Sequence, residues 1–465
     1  MCIHTARFGA AIPARFATIN TADARAETVG SFNSRADAFD PTHCMTTSIP
    51  ATACGIDFGT SNSTAARMMN NHAELIPLED GKVTLPSVVF FNAEEQRTRF
   101  GREGLGEYLS GHEGRLMRSL KSLLGSSLID GQTEVNGRAL PFRELLTQFI
   151  GELKQRIDRH NGAPFERAVL GRPVFFVDDN PVADKAAEDT LAEIARSVGF
   201  REVSFQYEPI AAAYHYETTI QKEELVLVAD IGGGTSDFSL IRLSPERARH
   251  TERKDDLLAN GGVHVGGTDF DRQLSLAGAM PLLGYRSLLK SGREMPSNIF
   301  FTLATWHTIN SAYTRQIAAD QRELALDAVE PQKSARLLKL LETRAGHWLA
   351  NEVEQTKIAL SDQAQASLSL ELLETGLSQM LARSEFEEAS EPLLYRVTTT
   401  VDQLLCDAGV SASAIDTVLF TGGSSGIPKL RSQIAALLPQ ATAVECDLFG
   451  SIGSGLAVEA GRRYG

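Results

Sequence analysis

The chain has 465 residues, 43% of them hydrophobic and 22% charged. That balance is close to the globular norm, excludes wholesale disorder, and leaves room for roughly three units of ~150 residues. Lys and Arg number 45 against 59 Asp and Glu, a formal net charge of −14, which speaks against sequence-independent binding to nucleic-acid backbones or anionic membranes but leaves small nucleotides open. No apolar run approaches the ~18 residues of a membrane-spanning helix. The five cysteines, Cys2, Cys44, Cys54, Cys406 and Cys446, are odd in number and show no CxxC spacing. Neither a disulfide framework nor a zinc site is therefore indicated, and a reducing cytoplasm is the expected location.

Residues 1–44 are rich in Ala, Thr, Ser and Arg, without periodicity or an apolar signal core. They read as a disordered extension, or as sequence upstream of a true start at Met45. From Thr52 onward, strands and helices alternate. Residues 54–58, 86–92 and 168–177 have the character of strands. Residues 181–198 carry helical apolar spacing through Ala186, Leu191, Ile194 and Val198, with Pro181 at the start and Gly199 just past the end. Residues 202–206 return as a strand, giving a strand–helix–strand unit and an α/β fold class. Residues 225–229 and 238–243 form a second hairpin around a glycine turn. Residues 268–400 are more helical and more charged, with an amphipathic helix over 348–361, and read as an insertion. Residues 418–421 resume the strand pattern, followed by a helix from about Pro428 and a last helix over 451–463.

An internal echo runs through this pattern. Ile56-Asp57-Phe58-Gly59-Thr60-Ser61-Asn62-Ser63 resembles Ala229-Asp230-Ile231-Gly232-Gly233-Gly234-Thr235-Ser236-Asp237. Each is a strand ending in Asp, then a glycine turn with hydroxyls, then a second apolar stretch. One copy alone is what an ordinary hairpin with Asp at its turn would show. Two in register suggest similar lobes facing across a cleft. Glycine turns let a backbone approach phosphate closely and turn successive N–H groups towards it. Asp57, Asp230 and Asp237 would repel that phosphate unless Mg²⁺ lay between, held through oxygen ligands and water.

Other chemistries fail on the residues. There is no GxxxxGK[ST] and no GxGxxG after a strand, so neither a P-loop nor a dinucleotide fold is indicated. Gly422-Gly423-Ser424-Ser425-Gly426 satisfies GxSxG, but a nucleophile elbow needs a later histidine and the last one is His347. The ten histidines show no HExxH spacing. Trp306 and Trp348 read as core or interface residues.

Taken in order, the motifs resemble the nucleotide-binding domain of the DnaK-type heat-shock chaperones. Residues 55–63 resemble that family's first phosphate loop and residues 228–237 its second. Glu208-Pro209-Ile210-Ala211-Ala212-Ala213 resembles its Glu-Pro-Thr-Ala-Ala-Ala stretch. Residues 261–271 resemble its Gly-Gly-x-Asp-Phe-Asp segment, and residues 422–429 its adenosine segment. The resemblance implies a two-lobed actin-like ATPase fold, with duplicated ribonuclease-H-like cores around a nucleotide cleft. Lobe I would span 45–220, lobe II 221–445 with a helical insertion at about 268–400, and 446–465 would return to lobe I. It implies ATP or ADP with Mg²⁺ as ligands and a slow Mg²⁺-dependent ATP hydrolysis that gates the two lobes. It also implies a protein partner or co-chaperone, with no nucleic acid and no membrane.

The roles implied are specific. Lys121 would position the attacking water, and Asp57 and Asp230 would hold the magnesium's waters. Glu208 and Asp237 would be acidic residues of the same catalytic cleft. Thr60, Ser61 and Thr235 would contact phosphate, beside the backbones of Gly59, Asn62, Gly232, Gly233 and Gly234. Gly266, Gly267, Glu354, Lys357, Ser361, Gly422, Gly423 and Ser424 would complete the nucleotide site. Two departures stand out. Gly426 and Ile358 occupy positions where the family carries arginines that stack on adenine, each stack being worth about 0.5–2 kcal/mol. By that measure ATP affinity falls by roughly one to three decades, or base selectivity relaxes. The chain also reaches Gly465 without the sequence of a peptide-binding domain, as in the YegD-like chaperones of bacteria, which Met295-Pro296-Ser297 and Trp306-His307 also resemble. The competing readings are a non-hydrolysing nucleotide-sensing interaction module, a small-molecule kinase of the same fold, and a filament protein.

Overall fold

The computed structural model describes residues 51–177, 180–250 and 252–465; the expectation for residues 1–44 lies outside them. In chain order, β1 (Ala53–Phe58), β2 (Asn62–Met69), β3 (His72–Leu75) and β4 (Thr84–Pro86) are followed by β5 (Val89–Asn92), β6 (Arg97–Phe100), α1 (Gly101–Leu109) and β7 (Gly114–Met117). A short hairpin, β8 (Gln132–Val135) and β9 (Arg138–Pro141), leads to α2 (Phe142–Asn161), β10 (Arg167–Arg172), α3 (Pro181–Ser197), β11 (Glu202–Tyr207) and α4 (Glu208–Glu217). Next come β12 (Glu224–Ile231), β13 (Ser236–Leu243), β14 (Leu257–Val263) and α5 (Gly267–Leu274), then α6 (Asn298–Ala304), α7 (Arg315–Asp327), α8 (Pro331–Glu342) and α9 (Gly346–Asp362). The chain closes with β15 (Gln365–Ser369), β16 (Ser378–Ala382), α10 (Arg383–Asp407), β17 (Thr417–Thr421), α11 (Pro428–Leu437), β18 (Thr442–Glu445) and α12 (Ser451–Tyr464). Among the described residues, no helix is long and apolar enough to cross a membrane.

Two sheets carry the architecture, and they repeat one another. The first runs β11-β10-β1-β2-β3, with β4 also on β2; the second runs β18-β17-β12-β13-β14. In each, three parallel strands meet an antiparallel pair at the central strand, β1 or β12. The echo between the two Asp–Gly motifs is thus an echo between whole sheets, and the fold is the two-lobed actin-like ATPase fold. Strand interiors are apolar because helices cover the sheets. Ile56, Phe58 and Leu170 pack with Phe149 and Leu153 of α2 in the first lobe. Leu227, Phe238 and Phe420 pack with the insertion helices in the second.

Two helices lie between the sheets. Ile210, Ala212 and Ala213 of α4 pack on Val226, Val228 and Leu419. Leu456 and Ala460 of α12 pack with Val169 and with Ala211 of α4. Glycine makes the approach close. A Cβ on Gly455 would sit 2.0 Å from the Ala211 carbonyl oxygen, and one on Gly55 would sit 2.2 Å from the Ala457 nitrogen.

The lobes also touch at α1 and α9. The Tyr108 hydroxyl lies 2.9 Å from His347 Nδ1, and His347 Nε2 lies 3.1 Å from the Trp306 carbonyl oxygen. That carbonyl can only accept, so Nε2 carries the proton and Nδ1 accepts from Tyr108. Arg118, just past β7, places its guanidinium 4.1 Å from the Trp306 ring centroid.

Three elements depart from the sequence reading. The strand expected over 86–92 is broken at Ser87 and Val88, so that β4 and β5 belong to different sheets. The strand expected over 168–177 stops at Arg172, because Pro173 has no N–H to continue the ladder and the Arg172 guanidinium binds the Pro173 and Val174 carbonyls instead. The segment after the amphipathic helix contains the β15–β16 hairpin, not helix alone.

Two outcomes follow from this packing. Gly455→Ala is expected to cost about 1–3 kcal/mol by overpacking, read as a shift in urea midpoint. Burial holds the His347 imidazole down to about 4 from an ordinary 6.5, so the unfolded chain binds a proton that the folded chain refuses. Its share of stability is complete above about pH 6.5 and lost as pH falls towards 4, by on the order of 3 kcal/mol. Urea titrations across that range should show His347→Gln losing less stability than wild type.

Candidate functional site

The site is built where the two central hairpins turn. Asp57 is the penultimate residue of β1 and pairs with Thr64 on β2. Asp230 is the penultimate residue of β12, opposite Asp237 on β13 and beside Thr421 on β17. The turns meet: a Cβ on Gly233 would lie 2.0 Å from Ser61 Oγ.

Three further segments brace the second turn. Thr268 N–H donates to the Gly233 carbonyl at 2.8 Å, Gly267 N–H to the Gly232 carbonyl at 3.0 Å, and Ser424 Oγ to the same Gly232 carbonyl at 2.8 Å. Gly422 stands at φ +79, where a Cβ would meet Asp230 Oδ1 at 2.5 Å. Ser87 braces the first turn, donating from Oγ to the Gly59 carbonyl at 2.6 Å and from N–H to the Ser61 carbonyl at 2.9 Å.

Inside the cleft, acid outweighs base. Lys121 Nζ donates to Glu208 Oε1 at 2.5 Å. Burial opposes the Lys121 charge, but Glu208 and Asp57 outweigh it and hold the ammonium above its ordinary range. Burial, then Glu208, pushes the Asp57 carboxyl up to about 7. Burial, then Asp237, Glu208 and Asp57, pushes Asp230 up to about 8. Thr235 Oγ1 donates to Asp237 Oδ2 at 2.8 Å. Four carboxylates around one ammonium make a space that favours a divalent cation. Among the described residues, no three His, Cys, Asp or Glu side chains converge to hold an ion directly. Asp57, Asp230, Glu208 and Asp237 could hold a cation through its waters, the way Mg²⁺ is usually held.

On α9, Glu354, Lys357 and Ser361 are spaced to share one helix face. Lys357 Nζ pairs with Asp271 Oδ1 at 2.8 Å and donates to the Gly267 carbonyl at 3.2 Å. Burial raises the Asp271 carboxyl to about 6 against the pull of Lys357.

A single cleft of about 1560 Å³ is lined by Asp57, Gly59, Thr60, Ser61, Asn62, Lys121, Glu208, Asp230, Gly232, Gly233, Gly234, Thr235, Asp237, Gly267, Glu354, Lys357, Ser361, Gly422, Gly423 and Ser424. Gly266 alone among the sequence-predicted site residues does not line it. It stands behind the second turn, where a Cβ would meet Gly234 N at 2.5 Å, and so shapes the loop by contact. Sequence reasoning missed Ser87, Arg118 and Phe449. Ser87 was absorbed into an apparent strand, and nothing in the local sequence of the other two marks them as cleft residues.

The chain matches the family model described as Hsp70 protein over residues 53–143, 125–277 and 329–465. It is 26% identical over 429 residues to the chaperone protein HscA homolog of Pasteurella multocida, covering 88% of this chain and 57% of that protein. It is 27% identical over 431 residues to the HscA homolog of Burkholderia lata, covering 88% and 58%. With heat shock 70 kDa protein BIP3 of Oryza sativa subsp. japonica it shares 27% over 411 residues, covering 82% and 52%. The chain thus spans a little over half the length of these curated relatives.

The glycine geometry yields a paired expectation. Gly422→Ala should cost about 1–3 kcal/mol, because it combines positive φ with collision against Asp230. Gly234→Ala, whose Cβ would meet nothing within 4 Å, should be nearly neutral. Urea midpoints of the two variants make the comparison.

Proposed function

Because the chain belongs to the Hsp70 family, we propose that its cleft binds ATP and ADP with Mg²⁺ and hydrolyses ATP slowly, the two lobes acting as a nucleotide-gated switch. The observation that carries this reading is the meeting of the two Asp–Gly turns at Ser61 and Gly233, with Asp57, Asp230, Glu208 and Lys121 in the cleft they bound. Glycine turns offer backbone N–H groups to a polyphosphate. Thr60, Ser61 and Thr235 add hydroxyl donors. Bound Mg²⁺ supplies charge neutralisation for the phosphoryl oxygens.

In this reading Lys121 stays charged and donates to the reacting phosphoryl group and to water. Glu208 fixes the Lys121 head, and Asp57 and Asp230 hold the waters of the cation. Thr235, tied to Asp237, keeps its hydroxyl at the second turn. Positioning and electrostatics rather than covalent chemistry do most of the catalysis. Glu354, Lys357 and Ser361 hold the nucleoside side. The proposed setting is the cytoplasm, with a protein partner or co-chaperone reading the lobe arrangement.

Phosphate release after mixing with Mg·ATP tests the assignment. Asp230→Asn and Thr235→Ala are each expected to slow release by about 10- to 100-fold with the fold retained by circular dichroism, and chelation of Mg²⁺ should stop it. Unchanged turnover in both variants would overturn the site assignment. Nucleotide binding without release would favour a nucleotide-sensing module.

A further inference from the structure

Along the turn that follows β17, the cleft wall changes character. Gly422 touches Asp230, whereas the next residue, Gly423, faces an aromatic ring: its Cβ would lie 2.9 Å from Phe449 Cε1 and 3.2 Å from Cζ. At Gly426 a Cβ would meet only Leu448 Cδ1, at 3.7 Å. Lys357 of α9 and Ser424 of this turn both stand beside Gly267. A Cβ on Gly267 would lie 2.7 Å from Ser424 Oγ and 3.4 Å from Lys357 Nζ, and Ile358 follows Lys357 directly. Phe449 and Ile358 both line the cleft, yet they remain 47% and 51% exposed. Neither is spent on the core; Gly423 lets the Phe449 ring close against the turn backbone, and Gly426 leaves open space beside Leu448.

Resting on the nucleotide reading of this cleft, we propose that Phe449 and Ile358 are the base-contacting residues. The planar base lies against the Phe449 ring, with Ile358 adding an aliphatic contact from α9. Phosphate and base are thus read by different chemistry within one cleft: charge and backbone donors before Gly422, apolar contact after it. Aromatic stacking accepts any base with a π face, so the slot favours purines by area and discriminates weakly between them. The Phe449 amide donates to Asp447 Oδ1 at 3.1 Å, which fixes the backbone that carries the ring.

Isothermal titration of the full chain with Mg·ADP and with Mg·tripolyphosphate, which has no base, separates the two halves of the cleft. Wild type is expected to bind both, and ADP more tightly. Phe449→Ala should weaken ADP by about 10-fold or more and leave tripolyphosphate within twofold. Ile358→Ala should weaken ADP by about threefold. A Phe449→Ala variant that binds ADP within twofold of wild type would overturn the proposal, as would equal losses for both ligands. Wild type binding neither ligand would instead remove the nucleotide reading itself, and the slot with it.

Discussion

The structure turns on one close approach: two hairpin turns from different sheets meet at Gly233 and the Ser61 side chain. That contact brings two sets of turn backbone to one cleft and leaves Asp57 and Asp230 sharing an electrostatic environment with Glu208. Burial and the neighbouring carboxylates together make each carboxyl resist ionisation. A lone lysine offsets only part of this charge. The surrounding elements hold the arrangement against its own repulsion. Ser87 ties the first turn, Thr268 and Ser424 tie the second, and Gly422 leaves room for the Asp230 carboxyl. The Hsp70-family cleft is therefore less a pocket lined by side chains than a seam between two duplicated sheets.

Much of this was legible in the sequence, because it is local. A strand ending in Asp followed by glycines and hydroxyls specifies a hairpin over a few residues, and the same phrase at Asp57 and Asp230 exposed the duplication. What was not legible depends on partners distant in the chain. Ser87 sits in an apolar run that reads as continuous strand, and only its bond to the Gly59 carbonyl explains the break. Gly266 was expected at the nucleotide from the resemblance of its segment, and what the sequence could not show is that its lack of a side chain serves the approach of Gly234. Tyr108 and His347 carry no motif, and their pairing exists only because two lobes face each other.

At the proposed nucleoside end the scaffold is kept while the exposed side chains of Ile358 and Phe449 around it are apolar. Lys357 remains bound to Asp271 and to the Gly267 carbonyl, so α9 is still anchored to the glycine turn. At Gly426 and Ile358 cationic side chains are absent, and the exposed faces there are aliphatic and aromatic. Selectivity in such a site would come from shape and surface rather than from charge placement, which couples base recognition less tightly to ionic strength.

The crossing of α4 and α12 has a mechanical consequence. At Gly455 the backbone of α12 rests on that of α4; α12 packs on the first sheet through Leu456, while α4 reaches both sheets, through Ala211 on Val169 and through Ile210 and Ala212 on Val226 and Val228. A crossing of small residues has almost no side-chain interdigitation to unlock when it rotates. In the proposed two-lobe switch it would serve as a fulcrum, with displacement growing with distance towards Tyr108 and Trp306. A rotation too small to disturb the core at Gly455 is thereby magnified at the far contacts, where a few bonds between side chains separate or rejoin.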